Sequence, residues 1–333
     1  MNGDLSMPCG CLPARRIFGL VLGALLVLAL GHGALAQDKL RVGKSQADAF
    51  SFVPLDIGID QGFYKKRGLE IEEAGFAGDA KLQQAIAADA VDVGIGSGPA
   101  LAFVAKGNPE KGIAAMANQP LLLALSVQKD GPIKAPADLK DKTISVSTAG
   151  SLTEWLVRET SRQQGWGPDG IKIAYLGSNS SQIAAMRSHN VDGFVADMAL
   201  AYKLEDENVS RVLVRFGNIV PDFHIHVIFA TDKAIAEKPE DLRNFLAGWF
   251  ETIAFIRQHK DVMVKKASEI MDVSPEIASR TYDDVMPMFS DTGRFNPKAL
   301  KVLAQSFVQM GVLDKEPDMS KLYTEQFLPV ISH

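Results

Sequence analysis

The sequence predicts an α/β fold built as two lobes. Three observations carry that expectation. Strand-like and helix-like segments alternate through the first two thirds of the chain, which implies sheets joined by helical crossovers. The 333 residues, 47% of them hydrophobic, suit a globular chain too long for one comfortable core. A short pattern also recurs at a spacing of 100 residues, as it would if two lobes were built alike.

The N-terminus stands apart from that pattern. Arg15 and Arg16 precede an uncharged apolar run, IFGLVLGALLVLAL, and then GHGALA. A basic stretch, a short apolar stretch and an Ala-x-Ala-like end (Ala34-Leu35-Ala36) together read as a secretory signal over 1–36, cleaved after Ala36. The apolar run is too short for a comfortable membrane span. RRIFGL also resembles a twin-arginine signal, but the strongly apolar run favours the general secretory route. Both cysteines, Cys9 and Cys11, fall in this leader. The exported chain is therefore expected to hold no disulfide, no thiolate nucleophile and no cysteine metal site. No cysteine follows the apolar run, so no lipoprotein anchor is expected, and the expected compartment is the periplasm. Loss of Asp4, Arg15 and Arg16 moves the net charge from −5 to −6. No basic stripe suggests nucleic acid.

The elements follow in order. LRVGKS (40–45) reads as a short strand. VPLDIGIDQGFYKKRG (53–68) reads as a helix closing at Gly68, a suitable C′ position. LEIEEAGF alternates like a half-buried strand. DAKLQQAIAAD is a helix, VDVGIGS a strand, PALAFVAKG a helix and GIAAMAN a strand. LLLALSVQ (121–128) is a long apolar strand, and KDGPIKAPADLKD is turn-rich. TISVS is a strand, and STAGSLTEWLVRE opens a helix with Leu152, Trp155 and Leu156 on one face. IKIAYLGS is a strand, SSQIAAMRSHN a helix and DGFVAD a strand. From about residue 234 the chain is nearly all helical: EDLRNFLAGWFETIAFIRQH, PEIASRTYDDVM and PKALKVLAQSFVQMG. Pro275 and Pro297 sit near helix starts, where a missing N–H costs least. The sheets are expected to be parallel, with right-handed crossovers.

The echo is specific. Ala85, Val91, Asp92 and Ile95 recur as Ala185, Val191, Asp192 and Val195. Gly78-Asp79 falls opposite Ser178-Asn179, and Ser97 opposite Asp197. In two such lobes the strand ends face each other across a cleft, and ligands of α/β sheets bind at the carboxyl ends of strands.

Four stretches, VPLDIGIDQGFYKKRGLEIE, GDAKLQQAIAADAVDVGIGS, ADLKDKTISVSTAGS and VDGFVAD, resemble the nitrate/sulfonate/taurine-type substrate-binding proteins of ABC importers. That group includes binders of thiamine-pyrimidine precursors. The likeness runs over about 40–244, and GFYKKRGLEIE and AVDVGIGS are its more specific parts. It implies a type II periplasmic binding fold: two lobes joined by two crossing segments, closing on a solute by hinge motion. The expected division is 38–128 plus 222–333 for lobe one and 129–221 for lobe two, with crossings near LLLALSVQ and FHIHVIFA. The implied role is a receptor that delivers a small organic solute to an ABC permease and its ATPase, as a monomer and without a cofactor. A solute sensor for a signalling system uses the same module. Thiamine-pyrimidine synthases share the fold, but they are cytosolic and carry a cysteine-rich iron motif. No Gly-x-Ser-x-Gly elbow, zinc-helix His pair or phosphate loop points to another enzyme.

Loops at strand ends supply the candidate ligand residues. By position, the resemblance implicates Ser45, Gln46, Asp48, Phe50, Asp79, Ser97, Asn118, Ser147, Thr148, Ser151, Asn179, Asp197 and His224. Structural readings stand beside these. Asp79 reads equally as a helix N-cap, Asn179 with Gln182 as a capping-box-like pair, and Ser151 with Glu154 as a capping box that leaves Ser147 and Thr148 as a polar ledge. Phe50 and Trp155 suit stacking on a flat ring. His224 and His226, two apart on a strand, invite a metal, but two histidines are too few. A hydrogen bond from His224 to the solute is expected instead. These loops hold Asp48, Asp79 and Asp197 but no Lys or Arg, which tilts the solute away from a bare anion and toward a neutral ring, an amine or a zwitterion. An organic acid stays open within the family. Glu205, Asp206 and Glu207 read as a solvated helix end, with docking to permease arginines as the alternative.

Overall fold

A computed structural model describes residues 38–328. The leader, its cleavage point and both cysteines lie outside the described residues. Along the chain the strands are β1 (Asp38–Lys44), β2 (Leu69–Gly75), β3 (Val93–Ser97), β4 (Glu110–Ala117), β5 (Leu123–Gln128), β6 (Thr143–Val146), β7 (Lys172–Tyr175), β8 (Gly193–Asp197), β9 (Ser210–Arg215) and β10 (His226–Thr231). The helices are α1 (Val53–Asp60), α2 (Asp79–Ala87), α3 (Leu101–Ala105), α4 (Leu152–Gln163), α5 (Asn179–Arg187), α6 (Met198–Asp206), α7 (Phe216–Ile219), α8 (Asp232–Glu237), α9 (Pro239–Gln258), α10 (Lys260–Met271), α11 (Pro275–Val285) and α12 (Pro297–Gln309).

The strands make two five-stranded sheets, ordered β2-β1-β3-β10-β4 and β7-β6-β8-β5-β9. The two orders are the same pattern. In each, three strands run parallel in the sequence-predicted way, β1 with β2 and β3, β6 with β7 and β8. The expectation of wholly parallel sheets fails at one strand per sheet. β10 is antiparallel to β3 and β4, and β5 to β8 and β9. These are the two strands that arrive from the other lobe, so they enter their sheet from its opposite end. β5 therefore belongs to the second sheet, and the expected lobe-one limit at residue 128 falls after a strand that has already changed lobes. An apolar run records burial but not which sheet buries it.

The echo is built into the backbone. α5 and β8 begin and end 100 residues after α2 and β3. Asp89 and His189, the residues that end those helical turns, both take the left-handed conformation, with φ of 55° and 59°. Asp92 accepts the Arg41 amide at 2.9 Å, and Asp192 accepts the Thr143 amide at 2.8 Å. The repeated Val-Asp is thus a clamp on the neighbouring strand in both lobes.

One predicted helix is split. The 53–68 stretch is helical through α1 and then breaks at Gly62, which has φ of 71° and takes the left-handed turn that L side chains avoid. A single tight turn over Lys65–Arg67 ends at Gly68.

The C-terminal helices close both lobes together. α9 buries Leu242, Phe245, Leu246, Trp249, Ile253 and Ile256 on one face, at spacings of three and four. Phe245 stacks on Tyr64 with ring centres 5.4 Å apart. Each such side chain stabilises by roughly 1.5–3 kcal/mol through burial. α11 reaches from this layer to α6 of the second lobe, and α12 reaches α4, where the Trp155 indole N–H donates to Gln309 Oε1 at 2.6 Å.

Candidate functional site

The strand ends of both sheets open on one cavity of about 470 Å³. From the first lobe it is bordered by Gln46, Asp48, Ala49 and Phe50, which follow β1, and by Met271, Thr281 and Val285 of α10 and α11. From the second lobe come Ser147 and Thr153, then Gly177, Ser178, Asn179 and Gln182, then residues 195–199 around Asp197. Leu122 and Leu123 of the crossing form part of its floor. Pockets of this size hold small organic molecules.

Six sequence-predicted residues border the cavity: Gln46, Asp48, Phe50, Ser147, Asn179 and Asp197. Phe50 borders the cavity but is nearly all buried. The Ser147 hydroxyl is joined to Thr153 Oγ1 at 3.0 Å, and Thr153 in turn to Ser151 at 2.9 Å. Asn179 begins α5 behind Ser178, and it is Ser178, accepting Ser181 N–H at 3.2 Å, that caps the helix. The Asn179–Gln182 capping pair is therefore replaced by a serine one residue earlier. Asp197 caps α6 through the Leu200 N–H at 3.0 Å. Loss of solvent pushes its carboxyl above the usual range, the hydrogen bonds from the helix pull it back, and the charge of Asp48 adds to the rise. Asp48 and Asp197 thus feel each other from opposite lobes.

The other eight do not border the cavity, and most have visible structural work. Asp79 is not an N-cap; Gly78 holds that place, and Asp79 Oδ1 accepts the Ser97 amide at 2.9 Å, tying α2 to the end of β3. Desolvation raises its carboxyl. Ser45 is buried beside this group. Ser151 caps α4 through Glu154 N–H at 3.3 Å, while Glu154 accepts Gly150 N–H at 2.7 Å. Burial would raise Glu154, but Arg158, the Gly150 amide and the Tyr175 hydroxyl outweigh it and hold the carboxyl low. Thr148 lies exposed just before that cap. Trp155 is 2% exposed and stacks on Phe223 at 5.2 Å, so it joins the lobes rather than facing a ligand.

His224 is also a staple. Its Nε2 accepts the Asn296 N–H at 2.9 Å, so Nδ1 carries the proton and donates to Asn118 Oδ1 at 2.9 Å. It therefore joins the two crossing segments to the start of α12, and Asn118 is consumed in the same link. Burial pushes the His224 imidazole down to about 4, and His226 likewise, so both stay neutral. Among the described residues no group of three His, Cys, Asp or Glu is placed to hold a metal.

Three of the cleft residues that the sequence did not yield are on α10 and α11. A search restricted to strand ends passes over Met271, Thr281 and Val285, which reach the cavity because α11 leans on α6. That contact is ionic as well as apolar. Arg280 pairs with Glu205 at 2.8 Å and Asp206 at 2.9 Å and lies over the Tyr202 ring at 3.9 Å. Arg215 pairs with Asp284 at 2.6 Å. Glu207 pairs with Arg187 at 3.0 Å. The acidic helix end is thus exposed, as expected of a solvated end, and is paired with arginines of its own chain. These pairs are half-exposed and worth about 1 kcal/mol or less each. Arg280→Ala is expected to cost only about 1 kcal/mol in a urea melt yet to loosen the α6–α11 wall. The radius of gyration from small-angle scattering should rise, and an unchanged radius would show that the pairs do not set the cleft.

No curated protein matches the chain. Solved structures do. The periplasmic aliphatic sulphonate binding protein SsuA from Escherichia coli aligns with a TM-score of 0.75 at 18% identity, over 86% of this chain and 92% of that one. A Candida albicans gene product described as having the generic periplasmic binding protein fold aligns at 0.70 and 20% identity, over 88% and 98%. The desulfurization enzyme DszB aligns at 0.62 and 14% identity, over 87% and 97%. The fold is the two-lobed type II periplasmic binding fold, and it is shared by binding proteins and by an enzyme. The family model described as NMT1/THI5 like matches residues 49–261, and with it the chain belongs to the NMT1/THI5-like family.

Proposed function

We propose that the protein is a periplasmic solute-binding receptor of an ABC importer. One observation carries the reading: a cavity of about 470 Å³ whose walls come from two like-built lobes, so that a bound solute touches both. A solute that makes better contacts in the closed arrangement stabilises it. The closed form would dock on a permease, and an ATPase would drive release. The sulphonate-binding neighbour supports this reading, and so does the expected leader.

The DszB neighbour favours a second reading, an enzyme on the same fold. The cavity wall does not support it. It offers carboxylates, amides and hydroxyls, and Ser147 is bonded to a threonine rather than to a base. A panel of sulfonates, dicarboxylates, aromatic acids, amines and thiamine precursors separates the two. The receptor reading expects one class to raise Tm in a concentration-dependent way, to shrink the radius of gyration, and to be recovered unchanged by mass spectrometry. Recovery of a product would overturn it in favour of the enzyme.

A further inference from the structure

We propose that the cleft takes a small organic cation, its protonated nitrogen held between Asp48 and Asp197 and its neighbouring polar edge met by the Thr281 hydroxyl. This rests on the receptor reading above and narrows it, setting aside the organic acid.

The charges bordering the cavity are all negative. Asp48 comes from the loop after β1 and Asp197 from the end of β8, and no Lys or Arg borders the cavity among the described residues. An anion placed there would meet two carboxylates from opposite sides. A cation would relieve the repulsion between them and link the two lobes in doing so.

The usual answer to an anion, free amides at helix N-termini, is reduced here. The three second-lobe helices that open toward the cleft are each capped by their own side chain: α4 by Ser151, α5 by Ser178 and α6 by Asp197. Two of those caps sit on the cavity wall, and one of them is itself a carboxylate.

Thr281 is the independent observation. It borders the cavity from α11 and is 2% exposed, yet its hydroxyl has no hydrogen-bond partner among the described residues. Buried helical threonines elsewhere in the chain bond back to their own helix: Thr160 to the Leu156 carbonyl at 2.9 Å and Thr252 to the Gly248 carbonyl at 2.9 Å. A buried hydroxyl with no partner is costly unless a ligand supplies one. Beside its amides and hydroxyls the wall also carries apolar side chains, Phe50, Met198, Met271 and Val285. That suits a ligand with one charged end and a compact hydrocarbon or ring body.

The test uses the full chain as exported and calorimetry with size-matched probes. The probes are primary amines, guanidines and quaternary ammonium compounds, each beside the sulfonate, carboxylate and alcohol of equal size. Amine or guanidine probes should bind, and the matched sulfonates and carboxylates should not. Asp48→Asn and Asp197→Asn should each weaken the best cation at least tenfold. Asn keeps the capping oxygen at 197, so that variant should fold. Thr281→Val should weaken the same probe severalfold without lowering Tm. The proposal is overturned if the anionic probes bind and the cations do not, if either Asn variant binds the cation as well as the parent, or if no cation in the panel binds at all. A sulfonate that binds, compacts the protein and is returned intact would sink the cation while leaving the receptor reading in place. A probe converted to product would sink the receptor reading itself.

Discussion

Gly98→Ala is expected to destabilise the protein by about 3 kcal/mol or more. A Cβ at this position would stand 1.8 Å from the His224 carbonyl oxygen and 2.9 Å from its carbon. Those atoms are backbone, and the segment that carries them cannot retreat. Gly98 N–H already donates to the Ile225 carbonyl at 2.9 Å. The His224 ring is held by Asn118 and Asn296 and packs edge-on against Phe295 at 5.3 Å. The glycine therefore sets the distance between the loop after β3 and the return crossing. Urea denaturation of Gly98→Ala beside Ser97→Ala makes the comparison, since the serine change keeps the backbone and should cost about 1 kcal/mol. A loss below about 1 kcal/mol for Gly98→Ala would mean that the crossing yields, and the hinge would then be softer than these contacts imply.

What the sequence disclosed follows the same division between local and distant contacts. The βα alternation and the Val-Asp echo are written in neighbouring residues, and both appear in the fold, whereas the helix expected to close at Gly68 breaks at Gly62. The Ser151–Glu154 box was equally local and forms with one shift, its carboxylate taking Gly150 N–H rather than that of the cap. Sheet membership of β5 was not legible, because Leu125 looks alike in either sheet. Strand β9, SRVLVR, is not legible because its two arginines interrupt the apolar run. The site shows the same limit. Asp48 and Asp197 lie on loops aimed by strands, so position in the chain located them. His224 and Asn118 also lie at such ends and Trp155 in the helix that follows one, but the partners Asn296 and Gln309 are 72 to 154 residues away. No local pattern announces that a polar side chain has been claimed by a distant one. Thr281 is hidden in the sequence for the converse reason: its helix ordinarily offers it a carbonyl, and only the fold reveals that it takes none.

Glu110→Gln is expected to stabilise the protein at alkaline pH and to do little at acid pH. Glu110 opens β4 and is 1% exposed, and neither carboxyl oxygen has a partner among the described residues. The Gln83 amide nitrogen beside it is also without one. Burial pushes the carboxyl up to about 8; the Asn108 and Gln83 side chains pull it down a little, and the charges of Asp232 and Asp79 push it further up. The unfolded chain would release that proton near the ordinary value of 4.5. Between 4.5 and about 8 the folded state holds a proton that the unfolded state has lost. Stability from this residue is thus complete below 4.5 and drains away as pH rises through about 8. The full loss is a few kcal/mol. The two buried histidines act in the other direction. Their folded values of about 4 mean that the unfolded state takes up protons first, so their contribution is lost as pH falls from about 6.5 toward 4. Comparing Glu110→Gln with the parent cancels that histidine background. At pH 9 the variant should melt roughly 5–10 °C higher, and at pH 5 the two should agree within roughly 2 °C. A gain of equal size at both pH values would mean that the carboxyl is not held protonated in the fold, and that a water or an amide turned toward it satisfies the charge.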